Sequence, residues 1–221
     1  MVLFNSMTEK KGRSGMRTYQ AIIISGLLSV LVLTACIVTE APNEREAEPQ
    51  ATEEQVREIG QEVAGTLGKE LLQKVKTAME EQGPVDALEF CSTRAQTFTN
   101  EIDARFGEGI SIKRTSFQYR NPENAPDTHE EEALRYFLDT LEEEQPLPDD
   151  YIQEVSDTEY RYYKPLRMGK DCLICHGDPD DFSPALKENL EQHYPDDKAT
   201  GYEEGDFRGV IRVSVSPSEL E

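Results

Sequence analysis

Two cysteines and a histidine lie together in "KDCLICHGD", residues 170–178: Cys172, Cys175 and His176. Cys-x-x-Cys alone serves zinc, thiol redox chemistry or haem attachment, whereas Cys-x-x-Cys-His is the attachment signature of c-type haem. The spacing has a physical reason. On one helical turn, positions i, i+3 and i+4 share a face, so two thiols and an imidazole are presented to a single object. The thiols form thioethers with the porphyrin vinyl groups, and the histidine ligates the iron as its proximal ligand. Gly177 lets the backbone turn away from the porphyrin edge without a side chain in the way.

Other uses of the pair find less support. A structural zinc site needs about four protein ligands, yet Cys36, Cys91, His129 and His193 are each isolated along the chain. A thioredoxin-like site wants a βαβ context, and the preceding "EYRYYKPLRMG" offers one strand and no crossover helix. A disulfide across two residues would be strained. One covalently attached haem c is the expectation.

Haem c is attached outside the cytoplasm, which makes the amino terminus a test. Lys10, Lys11, Arg13 and Arg17 precede the apolar run "AIIISGLLSVLVL" (21–33), and then "TAC". A basic flank followed by roughly 7–15 apolar residues is the pattern of an export signal. "LTAC" at 33–36 resembles a bacterial lipoprotein box, in which Cys36 becomes the lipidated first residue of the mature chain. Met16 would give a shorter, more typical start. A simple transmembrane anchor is the competing reading, since 21–38 is at the short end of the roughly 20 residues a span needs. Both readings place the domain outside the cytoplasm. The expected organisation is a signal over 1–35, an acidic tether over 36–51 and one domain over 52–221.

Composition narrows the partners. The 221 residues carry 23 basic and 44 acidic side chains, and without residues 1–35 the remainder holds 19 and 43, a net charge of −24. That argues against nucleic acid and against anionic membrane surfaces, which need a basic footprint. It favours solubility and steering toward a partner with a basic surface.

The elements that must position the motif can be traced in order. "TEEQ" from Thr52 is a capping-box pattern, followed by apolar Val56, Ile59, Val63, Leu67, Leu71 and Val75 along one helical face. Gly83-Pro84 ends that helix and starts a second, through about Arg105, whose stripe is Val85, Leu88, Cys91, Ala95, Phe98 and Ile102. "ISIKRTSFQY" (110–119) has strand composition, Asp127 with Glu130 caps a third helix to about Glu143, and "EYRYYKPL" is a second strand. A short helix lies near 183–192. In "FRGVIRVSV", Phe207, Ile211, Val213 and Val215 alternate with Arg208, Arg212 and Ser214, a half-buried strand. Helices first, then strands interrupted by helix and loops, predict an α+β fold with a mostly antiparallel sheet.

The blocks "ALEFCS" (87–92), "KRTSFQYRNPENAPD" (113–127), "YRYYKPL" (160–166), "CLICHG" (172–177) and "YPDDKATGYEEGDFRGVIRV" (194–213) resemble the PAS-like c-type haem domain family. Its members occur alone in exported proteins and as extracytoplasmic input domains of histidine kinases and chemoreceptors. The resemblance covers about residues 52–217. It implies a PAS-like sheet with N-terminal helices around one haem, with Cys172, Cys175 and His176 at the covalent and proximal positions. It also implies that Cys91 is the distal iron ligand. On its residues alone, Cys91 reads equally as a small buried hydrophobe, although a leftover thiol in an exported protein asks for a role.

Two functional classes follow. One is a redox carrier, or a sensor of redox state or of a small gas, read by a redox or signalling partner. No kinase or methyl-accepting segment lies within the chain, which leans toward carrier or ligand relay. The other is a haem enzyme, peroxidase-like or reducing oxides of nitrogen, which wants an open distal site and a positioned acid–base group. His129 and His193 are the spare histidines, and both are expected to face solvent. Arg114, Arg120 and Lys164 are candidates for the haem propionates, since a guanidinium suits a carboxylate; ordinary surface positions suit them equally. Tyr160, Tyr162 and Tyr163 are expected to pack on the sheet. Met168 is too near the motif in sequence to reach the far haem face; Met79 is the more feasible thioether.

Overall fold

The structure, a computed structural model, describes the backbone of residues 48–220 and the side chains of residues 53–220. The export signal, Met16, Cys36 and most of the tether lie outside the described residues. The elements, in chain order, are α1 (Glu48–Gln82), α2 (Pro84–Thr93), α3 (Ala95–Asp103), β1 (Ile110–Thr115), α4 (Thr128–Glu142), β2 (Tyr151–Ser156), β3 (Glu159–Arg167), α5 (Leu173–His176), α6 (Pro184–His193) and β4 (Phe207–Val215). The fold is α+β. Its four strands form one antiparallel sheet in the order β1-β4-β3-β2.

Three expectations about elements change. Helix α1 begins at Glu48, so Thr52 lies inside it and "TEEQ" does not mark its start. The expected single helix over 84–105 is two, because the backbone at Arg94 leaves helical geometry with φ −123°. Just before the break, Ser92 Oγ and Thr93 Oγ1 both donate to the Glu89 carbonyl, at 3.0 and 2.8 Å. Such back-bonding competes with the helical ladder and bends helices. Strand β2 was not anticipated: "YIQEVS" is a half-exposed edge strand, hairpinned to β3 through Asp157-Thr158.

The central strands β4 and β3 are covered on both faces, and alternation divides their side chains. Ile211, Val213, Val215 and Tyr162 face α1 and pack with Val56, Val63 and Leu67. Gly60 makes that approach possible, since a Cβ there would strike the Tyr162 ring. Val210 and Tyr163 face the other way, onto Ala133, Leu134 and Phe137 of α4. The tyrosines thus pack on the sheet, as expected.

The α4 side also carries a closed polar network. Asp127 and Glu130 form the expected capping box. Glu130 is fully buried and accepts from Lys113 Nζ at 2.6 Å, Arg212 Nε at 3.2 Å and the Asp127 backbone N–H at 2.9 Å. Asp127 accepts two bonds from Arg161, at 2.9 and 2.8 Å, and Arg161 Nε reaches Glu159 at 2.7 Å. Burial alone would raise the Asp127 carboxyl, but the Glu130 N–H and Arg161 hold it below the usual carboxylate value. The network therefore fastens the start of α4 to β1, β3 and β4.

Removing one partner of a buried ionic cluster leaves uncompensated charge and costs about 3–5 kcal/mol. Glu130→Ala, which strands Lys113 and Arg212, is expected to lower stability by that order in a urea titration. Arg135→Ala, which breaks an exposed pair with Glu131 and a cation–π contact with Phe117, should cost no more than about 1.5 kcal/mol. Equal losses from the two variants would refute the fastening role.

Candidate haem site

A cavity of about 440 Å³ opens between the second half of α1, α2, the ends of β1 and β3, the start of β4 and the motif loop. That is within the roughly 300–1,000 Å³ of small-molecule and cofactor pockets. Its apolar walls include Leu71, Leu72, Val75, Leu88 and Ile211. Cys91, Cys172, Cys175 and His176 all line it. Cys91 and the motif, 81 to 85 positions apart, are brought together because α2 packs on α6 and α5, with Leu88 against Phe182, Leu186 and Leu190, and Cys175 at the edge of that cluster.

The motif itself is two tight turns. Cys172 closes a 3₁₀ turn (Lys170–Cys172) and α5 supplies the rest. Leu173 and Cys172 lean on Met168, Ala199 and Tyr202, while the intervening Ile174 is 44 % exposed. Gly177 has an unremarkable φ of −75°. Its small size matters for another reason: a Cβ there would sit 2.6 Å from the Leu173 carbonyl oxygen.

His176 is fixed by its backbone neighbours. Its Nδ1 lies 2.7 Å from the Ala199 carbonyl oxygen, and a carbonyl only accepts, so Nδ1 carries the proton and Nε2 keeps its lone pair. That is the tautomer and support that a metal-ligating imidazole requires. Burial, then the charges of Arg120 and Arg208, push its pKa down to about 3 against the opposing Ala199 bond. The ring is therefore neutral near pH 7. Cys91, half-buried against the cavity, has its thiol pushed up by burial, opposed by Arg114 and Arg120. Without a metal it stays protonated; coordination deprotonates such a thiol outright.

The propionate candidates separate. Arg114 lines the cavity, its Nε is buried without a partner, and no ion pair reaches it among the described residues. Burial lowers its pKa. Arg120 also lines the cavity, but donates to Asp197 Oδ2 (3.0 Å), the Cys175 carbonyl (2.6 Å) and the Ala199 carbonyl (3.3 Å). Lys164 is on β3 beside Ile211 and is not among the cavity residues. Sequence reasoning missed Arg208, which lines the cavity and donates to the Gln118 carbonyl at 2.9 Å. Its signal was present: it alternates with the core residues of β4.

His129 is on α4, 3.7 Å from Glu132 and partly exposed, and His193 is exposed at the end of α6. Of the three histidines, only His176 lines the cavity. Met168 and Met79 line it too, Met168 from the motif side and Met79 from α1. Among the described residues no group of three or more His, Cys, Asp or Glu is gathered tightly enough for a metal ion, so the pocket has no zinc-like cluster.

The model of the Tll0287-like family matches residues 39–216. The chain belongs to the Tll0287-like family. That agrees with the family the sequence blocks resemble. The Tll0287-like domain is also similar to a solved structure, the cyanobacterial haem protein Tll0287, with a TM-score of 0.49 and 22 % identity over 76 % of this chain and 91 % of that one. Comparison with curated proteins found no match.

The cavity residues of this Tll0287-like domain fit a haem. Two thiols and a free imidazole nitrogen meet an apolar hollow, and Arg114 brings an unpaired cation suited to a carboxylate. A buried polar group without a partner costs about 1–3 kcal/mol. Arg114→Met should therefore raise the thermal stability of the haem-free chain while lowering the yield of haem-loaded protein. A haem-free chain that melts lower would show that the guanidinium is already satisfied.

Proposed function

We propose that the chain is an exported, membrane-anchored protein with a PAS-like domain holding one c-type haem, acting as a redox carrier or as a sensor of redox state or a small gas. The observation that carries this reading is the meeting of Cys172, Cys175, His176 and Cys91 in one largely apolar cavity, with His176 Nδ1 already bonded to Ala199 and Nε2 left free to ligate. Membership of a family whose namesake is described as a haem protein agrees with it. Bound there, haem would supply a one-electron iron couple and a coordination position open to exchange.

The protein's own residues have separable jobs. Cys172 and Cys175 anchor the porphyrin covalently. His176, neutral and with Nδ1 committed to Ala199, presents Nε2 as the proximal ligand. Arg114 receives an anionic propionate. Cys91, from α2, would supply a thiolate to the iron, a ligand that would favour the ferric state. Protonation of that thiolate on reduction would free a site for a small ligand. The enzyme reading looked to His129 or His193 for an acid–base group, and both lie away from the cavity.

Cys36 is the proposed lipid attachment point, placing the domain outside the cytoplasm of a bacterial cell, with a basic-surfaced redox or signalling protein as partner and no nucleic acid. Mass spectrometry of the native protein should find a lipidated chain beginning at Cys36 and carrying one haem. A pyridine haemochrome matching unattached haem would sink the covalent claim, and an intact 21–38 segment would favour a transmembrane anchor.

The distal ligand has its own test. Cys91→Ser should keep haem attached but change the ferric absorption and paramagnetic resonance spectra and raise the reduction potential. Spectra and potential identical to the unaltered protein would make Cys91 a packing residue.

A further inference from the structure

The loop that supports His176 is held by one buried ion pair. Arg120 and Asp197 have side chains 8 % and 11 % exposed and meet at 3.0 Å. From the loop after β1, Arg120 Nη2 donates to the Cys175 carbonyl at 2.6 Å and to the Ala199 carbonyl at 3.3 Å. Asp197 Oδ1 in turn accepts the Ala199 backbone N–H at 2.8 Å. Two more bonds close the seam: Gly201 N–H to the Gly177 carbonyl at 2.8 Å and Tyr202 N–H to the His176 carbonyl at 3.0 Å.

The Ala199 carbonyl is shared. One oxygen accepts from His176 Nδ1 at 2.7 Å and from the Arg120 guanidinium at 3.3 Å. A cation drawing on that oxygen leaves it a weaker acceptor for the imidazole N–H, so the ring gains less electron density than it would from an unshared carbonyl. The same arrangement sets a positive charge beside the imidazole and its compensating negative charge two residues before Ala199, at Asp197. Two of the guanidinium's three nitrogens are spent in this way, which is not the posture of a propionate contact.

We propose that Arg120, with Asp197, is a positioning and tuning residue for the proximal histidine: it locks the 197–202 strap to the motif and, through the shared Ala199 carbonyl, raises the reduction potential of the bound haem. This rests on the haem reading of His176. Arg120 removes electron density from the ligand and places positive charge near the iron, and both effects disfavour the ferric state. Asp197 opposes the second effect while holding the strap in place.

The experiment uses haem-loaded protein, whose haemochrome first establishes attachment independently of Arg120. Arg120→Met should lower the reduction potential, and in the reduced state it should shift the iron–histidine vibration to higher frequency. Arg120→Lys, which keeps the charge, should recover part of the potential. Asp197→Asn keeps an acceptor for the Ala199 N–H but removes the negative charge, and should raise the potential. If Arg120→Met fails to load haem, the Asp197→Asn shift decides alone. Variants that carry attached haem yet titrate at the unaltered potential would reduce the pair to a structural strut and overturn the proposal. A protein whose haem is not attached at all would instead overturn the functional reading beneath it.

Discussion

The bond between His176 Nδ1 and the Ala199 carbonyl, at 2.7 Å, is what the site depends on. A helix of four residues has no stability of its own, since nucleation fixes several residues for a single hydrogen bond. Helix α5 is such a helix, and its neighbour is a single 3₁₀ turn. The geometry of Cys172, Cys175 and His176 must therefore be imposed from outside. The strap over 197–202 imposes it, with backbone bonds to Gly177 and His176 and the Arg120–Asp197 pair fixing the strap in turn. Scaffold stability reaches the motif through β4, which continues from the strap and runs between β1 and β3 in the sheet.

The cavity inverts the character of the chain around it. The protein carries 44 acidic side chains against 23 basic ones, yet Arg114, Arg120 and Arg208 all reach the cavity wall. The side chains of Arg120 and Arg208 have hydrogen-bond partners, whereas Arg114 Nε is buried without one among the described residues. Arg114 and Arg208 also repel each other. Clustering desolvated cations without anions is unfavourable, and proteins tolerate it where a ligand brings the missing negative charge. A porphyrin carries two carboxylates, so on the proposed reading the cofactor would offset the charge of Arg114 and Arg208.

The sequence made some of this plain and hid the rest for physical reasons. Capping boxes are local, so Asp127 with Glu130 located α4 to within a residue of its observed start. Alternation over nine residues located β4, and the motif announced its own chemistry. What failed was weakly patterned or non-local. Strand β2 is a half-exposed edge whose "YIQEVS" carries mixed polar residues, so its pairing to β3 leaves little trace in its own composition. The break at Arg94 comes from two side chains bonding back to one carbonyl, inside a stripe that reads as continuous. Arg120 read as a propionate candidate or a surface cation, and its strap role stayed hidden because its partners lie 55 to 79 residues away. Its role exists only once the strap has closed on the motif.

The two proposed axial ligands are held by different physics. His176 is fixed by its own bond to the Ala199 carbonyl, by the Gly201 and Tyr202 backbone bonds to the motif, and by the Arg120–Asp197 pair behind the strap. Cys91 is fixed by packing. Helix α2 is preceded by Gly83 with φ 91° and followed by the Arg94 break; it packs against both α1 and α6, with Leu88 against Phe182, Leu186 and Leu190 on the α6 side. Apolar contacts are non-directional, so they fix the position of α2 less specifically than hydrogen bonds fix α5. On the proposed reading, a change of ligand preference with oxidation state would be met first on the Cys91 side, where directional bonds are fewer. A carrier would need α2 to stay put through that change and a sensor would need it to move, so the choice between them rests on the packing of α2 rather than on the motif.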